Sequence, residues 1–478
     1  MDKQKLYDTI EARSEDFIRI SDEIWGYAEL SLNEYKSAAC YVDFLKREGF
    51  QVREQIAGIP TAFSGSFGEG RPVIGILGEF DALSSLSQKP ALTFKEPEIP
   101  GGNGHGCGHN LLGVGSLSAA VAVKRMIEAG ELQGTVVFYG CPGEEGCAGK
   151  TFMARDGEFR DLDAALCWHP GDTNEVTTGA CAASLQLTYT FTGVAAHAAG
   201  DPWNGRSALD AAELMNVGVQ FLREHIRSCE SLHYSILDAG GASPNVVQPT
   251  AQLLYMVRSD NVTNAKKLLA RVNRIAEGAC LMTDTIVEIR QVDGTSSTLS
   301  NTVLEQAIHR NLLEAPMPTH TAEEEAFAAA LYETYPSDEL PGTAPKYSAR
   351  VRRFVREMTD NGQKPLNDFI MPYVPSDAFS PGSTDVGDVS WLTPTAQCTT
   401  VTWTSNSPGH SWQNVSLGKT TIGYKGMLYA GKVLAGTAAD LMEDPQLLAQ
   451  ARAEFAEMAA DGYDCPLEPD LKAKPVSL

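Results

Sequence analysis

Three apolar runs in the first third of the chain, PVIGILGEFDAL (72–83), GTVVFYGCPGEEG (134–146) and DAALCWHPG (163–171), are each bounded by turn residues and end in a polar loop. Continuous apolar runs of this length read as strands buried on both faces, and helical periodicity fills the interval before the second run, most clearly in NLLGVGSLSAAVAVKRMIEAGE (110–131). Strand and helix in alternation is the pattern of a mostly parallel sheet between helices, an α/β architecture. In an open sheet of that kind ligands collect beyond the carboxyl ends of the strands. The loops after all three runs are therefore the first places to look for chemistry.

From about residue 183 the pattern changes. SLQLTYTFTG alternates Leu185, Leu187, Tyr189 and Phe191 against polar neighbours, which predicts a strand with one wet face. A helix (about 206–226), two strands (about 232–238 and 251–257), a second helix (about 262–282) and the strand TIVEIRQV follow. That order is the one of a ferredoxin-like domain. At 478 residues the chain is too long for one ordinary core. The expected organisation is a domain formed by 1–182 and 296–478, interrupted by a second domain at 183–295. Within the last part, about 315–380 is rich in Pro, Ser, Asp and Glu, holds two short helical patterns, and reads as an insertion; a strand AQCTTVTW and a long final helix come after it, and the last ten residues read as a tail.

Charge and cysteine usage exclude several classes of function. A net charge of -23 repels nucleic acid and anionic lipid, whose binding rests on Lys and Arg. No run approaches the roughly 20 apolar residues of a membrane helix, and the amino-terminal stretch MDKQKLYDTIEARSEDFIRI is charged where a signal peptide is apolar. The ten cysteines are scattered without the dense spacing of a disulfide scaffold. These features predict a soluble cytoplasmic protein that binds neither nucleic acid nor membrane. An anionic substrate would need a local cation or metal.

GGNGHGCGHN (101–110) supplies the strongest hint of that metal, with His105, Cys107 and His109 on alternate positions among glycine and asparagine. Packing has little use for such a segment, whereas glycine frees its side chains to converge on a ligand. Further metal-type side chains are Glu144 with Glu145 in GCPGEEG, His169 in WHP, and His410 in SNSPGHSWQ. Zinc takes imidazole, thiolate and carboxylate together, and manganese accepts the harder part of that set. Two such ions lower the pKa of a water and polarise a carbonyl, and a neighbouring carboxylate then serves as general base. Adjacent carboxylates in one loop can divide that labour, one on the metal and one on the water. Singly, an acidic pair also reads as a solvated turn and WHP as a packed core histidine; their joint placement after consecutive strands favours a site.

The segments GEFDAL, NGHGCGHNLLG, FYGCPGEEG, WHP, GVAAHAA, GRSALDA, GGASPNVVQ, STDVGDVSW and HSWQ, in this order and over nearly the whole length, resemble the two-metal amidohydrolases that include bacterial aminoacylases and plant indole-acetyl-amino acid hydrolases. The resemblance implies that Cys107, His109, Glu145, His169 and His410 hold two divalent ions, Mn²⁺ or Zn²⁺, and that Glu144 is the general base. It implies that the ferredoxin-like domain is a lid that also makes a dimer, with His197 as a catalytic residue and Asn245 and Arg258 on the substrate carboxylate. It favours p-aminobenzoyl-glutamate among N-acyl amino acid substrates. Alternatives are a dipeptidase or aminoacylase of other specificity, a non-catalytic subunit that associates with a related chain, and a thiol hydrolase using Cys107. Where the wider family has a His-x-Asp pair this chain reads Glu79-Phe80-Asp81, so Asp81 is expected to orient a ligand rather than bind metal. Asp385 reads equally as such an orienting group or a capping residue, and Arg206 as a substrate contact or a surface charge. His225, His233, His309 and His320 show no partner pattern and are expected to pack or face solvent.

Overall fold

The computed structural model of the chain describes residues 1–335 and 347–475. Residues 336–346 of the expected insertion and 476–478 of the expected tail lie outside the described residues. The chain divides into two compact units.

The first unit comprises Met1–Gly179, Leu299–Ala378 and Val389–Gly462. Its seven-stranded sheet runs, edge to edge, Gln51–Glu54, Phe63–Glu69, Gly134–Cys141, Val73–Glu79, Ala164–Gly171, Thr395–Val401 and Glu175–Val176. The four strands from Gly134–Cys141 to Thr395–Val401 are mutually parallel, and antiparallel strands flank them on both sides. The apolar runs of the sequence supply those parallel strands because each is buried on both faces. The helix His109–Glu128 is buried along most of its length and packs against the helix Thr421–Glu443. Gly431 permits that approach, since a Cβ there would collide with the Ser118 hydroxyl. Helices Ala322–Tyr332 and Ala349–Met358 form from the two short patterns of the expected insertion.

The second unit comprises Ala180–Thr298, Phe379–Asp388 and the chain from Tyr463. Its antiparallel sheet has the order Ile286–Thr295, Ala183–Thr192, Thr250–Ser259, Ser231–Asp238. With helices Ala208–Arg223 and Val262–Thr283 between its strands in the chain, this is the ferredoxin-like topology. Leu185, Leu187, Tyr189 and Phe191 alternate into one core with Leu253, Tyr255 and Val257 of the next strand and Met215, Val219 and Val272 of the helices. Ser207 and Asn261 cap the two helices by accepting from Asp210 N and Asn264 N. The unit also takes in 379–388 and 463 onward, segments that the sequence pattern groups with the other part. They are tied by polar contacts that carry no hydrophobic period: the Asp388 carboxylate accepts from Ser296 N at 2.9 Å, Ser296 Oγ at 2.7 Å and Tyr463 OH at 2.8 Å. Among the described residues no helix is long and apolar enough to cross a membrane.

Candidate metal centre

The parallel strands of the first unit deliver polar residues at one edge. Phe80 turns inward to pack against Tyr41 and Phe63, with ring centres 5.5 and 5.9 Å away, so the extended chain sends its neighbours Glu79 and Asp81 to the opposite side. The glycine-rich loop enters the helix His109–Glu128 through Gly108 at φ 78°, which places Cys107 just before the first turn and His109 in it. After the strand Gly134–Cys141 a turn through Gly143, at φ 71°, presents Glu144 and Glu145. His169 lies near the end of Ala164–Gly171, and His410, held at φ 52°, precedes the short helix Trp412–Leu417. A left-handed residue other than glycine is strained, and such strain gathers at functional positions.

These side chains meet. Cys107 Sγ is 3.3 Å from His169 Nε2. His109 Nδ1 pairs with Asp81 Oδ1 at 2.9 Å, while Asp81 Oδ2 accepts from Ser31 Oγ at 2.7 Å and from Glu145 N at 3.0 Å. Asp81 thus fixes a histidine ring and the acidic loop at once. His109 Nε2 faces Glu79 Oε2 at 3.3 Å and Glu145 Oε1 at 4.0 Å, and His410 Nε2 lies 3.5 Å from Glu145 Oε2. Glu79 Oε1 is bound by Lys150 Nζ at 2.7 Å. Three sets of potential ligand atoms lie within 4.8 Å of one another: Cys107 with His109 and His169, Cys107 with Glu145 and His410, and Glu79 with His109 and Glu144.

Whether these groups suit a cation can be judged from what they lack. Glu79 Oε2, His109 Nε2 and Glu145 Oε1 are buried without a hydrogen bond. Leaving one buried polar atom unpaired costs about 1–3 kcal/mol, and three converging acceptor-type atoms make a poor core but a good cation cradle. The His169 Nδ1 pairs with Pro170 O at 2.7 Å, which assigns the ring proton there and leaves Nε2 with its lone pair. Burial, seconded by the charge of His109, pushes the His169 pKa down to about 4, so that ring is neutral at pH 7. Burial pushes the Cys107 thiol up, against the opposing pull of His109, which leaves an unactivated thiol and disfavours the cysteine-nucleophile alternative. For His109, burial works downward, but Cys107 and Asp81 outweigh it and hold the ring above the ordinary imidazole range, so that Nε2 carries a proton wherever no metal cation takes its place. Thiolate, imidazole and carboxylate together fit a borderline divalent ion.

His105, the third member of the opening pattern, is in none of these three sets; it is buried with Nε2 3.0 Å from Ile24 O, a packed histidine. His197, Asn245, Arg258 and Asp385 belong to the second unit. There Ala198 N donates to Asn245 O at 2.9 Å, bringing the His197 and Asn245 loops together. Arg258 donates to Pro381 O at 3.1 Å and Ser383 Oγ at 2.9 Å. Arg206 pairs with Asp284 at 2.8 Å, the contact of a surface charge. The sequence reading does not assign Glu79 or Lys150 to the cluster. The period of two through Glu79-Phe80-Asp81 is a signal that could find the first; nothing in GCAGKTF marks the second as buried.

Residues 75–460 match Peptidase family M20/M25/M40. The chain belongs to that family. It is 42% identical to one of the subunits of the p-aminobenzoyl-glutamate hydrolase of Escherichia coli, covering 99% of this chain and 100% of that protein. The Xaa-Arg dipeptidase of Mus musculus is 26% identical over 95% of this chain and 92% of its own length. Among solved structures, an aminobenzoyl-glutamate utilization protein from Klebsiella pneumoniae superposes with a TM-score of 0.60 at 16% identity, over 91% of this chain and 98% of that one. A dinuclear metal binding peptidase of Bacillus subtilis from the M20 family gives 0.55 at 18% identity, over 91% and 99%. These two structures bear on the fold, and they agree with the mixed α/β architecture built on a mostly parallel central sheet. As an M20/M25/M40 member the chain is a hydrolase, and its first unit carries the candidate metal centre.

Proposed function

We propose that this M20/M25/M40 hydrolase is a two-metal amidohydrolase that cleaves the amide bond of an N-acyl or N-aroyl amino acid, with p-aminobenzoyl-glutamate the favoured substrate. The observation that carries the reading is the convergence of buried, donorless His109 Nε2 and Glu145 Oε1 beside Cys107 and His169. The substrate rests on the full-length similarity to a p-aminobenzoyl-glutamate hydrolase chain. Cys107, His109 and His169 would hold one ion and Cys107, Glu145 and His410 the other, manganese or zinc. Bound there, the ions would supply Lewis acidity toward the amide carbonyl and a lowered pKa for the attacking water. Glu144, partly exposed next to Glu145, takes a proton from that water and passes it to the leaving nitrogen. Asp81 keeps the His109 ring and the Glu144-Glu145 loop in place.

The second unit would be the lid and the dimerisation surface. His197 Nδ1 accepts from Ala199 N at 3.1 Å and Gly200 N at 3.0 Å, which puts the proton of the neutral ring on Nε2, where it can donate to a carbonyl oxygen. Arg258 donates to the neutral acceptors Pro381 O and Ser383 Oγ, which leaves its charge to a substrate carboxylate, with Asn245 as a second donor. The strand Ser231–Asp238 is a sheet edge with Tyr234, Ile236 and Leu237 exposed, and Leu214, Val217 and Phe221 are exposed along helix Ala208–Arg223. An open edge beside apolar side chains suits pairing with a second copy. A hetero-oligomer is the second reading, favoured by two Escherichia coli relatives, 42% and 26% identical, that are named as different subunits of one p-aminobenzoyl-glutamate hydrolase. The cytoplasm is the proposed location, on the strength of the scattered cysteines.

The test is the purified chain alone. Metal analysis is expected to find two ions per chain, and chelation to abolish a hydrolysis of p-aminobenzoyl-glutamate that manganese or zinc restores. Full activity in metal-free protein overturns the mechanism. Activity only after adding a related chain moves the conclusion to the hetero-oligomer.

A further inference from the structure

A buried ion pair outside the expected ligand set faces the same centre. Glu79 ends the strand Val73–Glu79, Lys150 lies in the helix Gly149–Arg155, and their side chains are 5% and 0% exposed. Removing two charges from water is expensive, and an apolar pair of similar volume often serves stability as well or better. Stability alone therefore does not account for this pair.

The two oxygens of Glu79 differ in their surroundings. Lys150 Nζ holds Oε1 at 2.7 Å. Oε2 is buried without a hydrogen bond and stands 3.3 Å from His109 Nε2, which also makes none. Because His109 Nδ1 is paired with Asp81, the proton of a neutral ring lies on Nδ1 and the lone pair on Nε2. With the ring in that neutral form two electron-rich atoms face each other across 3.3 Å, and a shared cation would turn the contact from repulsive to favourable. Glu144 offers a third atom within 4.8 Å of both.

We propose that Glu79 is a further metal-ligating carboxylate of this centre, and that Lys150 is its positioning residue, holding the far oxygen so that Oε2 stays aimed beside His109. This rests on the two-metal reading and extends it to the choice of ion. Thiolate and imidazole favour zinc, whereas an added carboxylate oxygen favours manganese, which takes oxygen ligands readily. Glu79 thus biases the centre toward manganese.

The experiment titrates metal-free protein with manganese and, separately, zinc in competition with a chromophoric chelator, for wild type, Lys150→Met and the double variant Glu79→Gln/Lys150→Met, which removes both charges together. The double variant is expected to lose about 100-fold in manganese affinity at one of two sites but only about tenfold in zinc affinity, the scale of losing one ligand or its support. Lys150→Met alone keeps the carboxylate and is expected to keep the manganese preference, with either affinity lowered by about tenfold at most. Wild-type affinities in the double variant, or equal losses for both metals, overturn the inference while the two-metal reading stands. Fewer than two ions on the wild type overturns that reading instead. If circular dichroism shows the double variant unfolded, Glu79→Asp replaces it: the charge beside Lys150 remains but the oxygen is drawn back, and unchanged manganese affinity there overturns the inference equally.

Discussion

Asp81 of the first unit and Asp293 of the second are both buried carboxylates, yet their surroundings drive them in opposite directions. Burial raises both, but around Asp81 it is overcome by His109, Ser31 Oγ and Glu145 N, and the pKa falls to about 2. Around Asp293 burial is reinforced by the charge of Asp385, only partly offset by Arg258, and the pKa rises to about 7. Around Asp81 the first unit gathers donors and an imidazole. Around Asp293 the second unit supplies too little to offset burial, and its candidate chemistry lies elsewhere, with His197 and Asn245 on exposed loops, where water can satisfy whatever the protein does not, and Arg258 on a strand. In the first unit, then, an unpaired atom is informative. In the second, a role has to be demonstrated by exchange between chains or by substrate.

The largest test of that contrast falls on the acidic loop. Glu144→Gln is expected to retain metal and lose turnover by about 10²- to 10⁴-fold, the range of general base catalysis. Glu145→Gln is expected to lose metal affinity. Metal content and rate measured together decide it, and the reverse outcome exchanges the two roles.

For the second unit the next largest effect is complementation. His197→Ala and Glu144→Ala are each expected to be inactive; unfolded and refolded together, about half the dimers are mixed. If His197 serves the neighbouring protomer, each mixed dimer has one site with both defects and one with none, and roughly a quarter of wild-type activity returns. If His197 serves its own chain nothing returns, and if His197→Ala stays active the histidine only holds its loop through Asp201, Ala199 and Gly200.

A smaller effect is expected at Arg258. The planar guanidinium matches a carboxylate in a way an ammonium does not. Arg258→Lys should raise the Michaelis constant more for free-acid substrates than for their amides. Equal rises would make Arg258 a support for the 381–383 segment it already binds.

Much of this was legible in the sequence, and the limits have physical reasons. The parallel core strands could be read because burial on both faces leaves an unbroken apolar run, and the ferredoxin-like order because one wet face leaves an alternating one. Cys107, His109, Glu145, His169 and His410 stand out because glycine and strand ends give such residues no packing role, and the structure brings them to one place. Glu79 is noticed only as standing where the wider family has a histidine, and is given no role because it closes an apolar strand and reads as its polar stop. Lys150 escapes notice because a lysine on a short helix normally faces water, and only the fold buries it. Strands Gln51–Glu54 and Phe63–Glu69 and helix Pro445–Met458 leave no clear pattern, the first being nearly all exposed and the last buried only at Ala451.

The smallest prediction returns to the two aspartates, where replacement by asparagine should have opposite signs. Asp81 has a folded pKa below the unfolded value of 3.8, so its contribution is present above that value and is lost as pH falls through about 2. At pH 7 Asp81→Asn forfeits it, a loss on the order of 2 kcal/mol, and loosens the His109 ring as well. Asp293 has a folded pKa above 3.8, so its contribution is full below that value and disappears as pH rises through about 7. Asp293→Asn should therefore gain stability over wild type as pH climbs from 4 to 8, raising the melting temperature by a few degrees at the alkaline end and hardly at all near pH 4. The amide keeps a partner in Gln186, whose Nε2 is 3.2 Å from Oδ2. Melting curves of both variants and wild type across that range check the pair. A destabilised Asp293→Asn at pH 8 would mean that Arg258 already holds Asp293 ionised, and the contrast between the two units would then rest on the metal-type side chains alone.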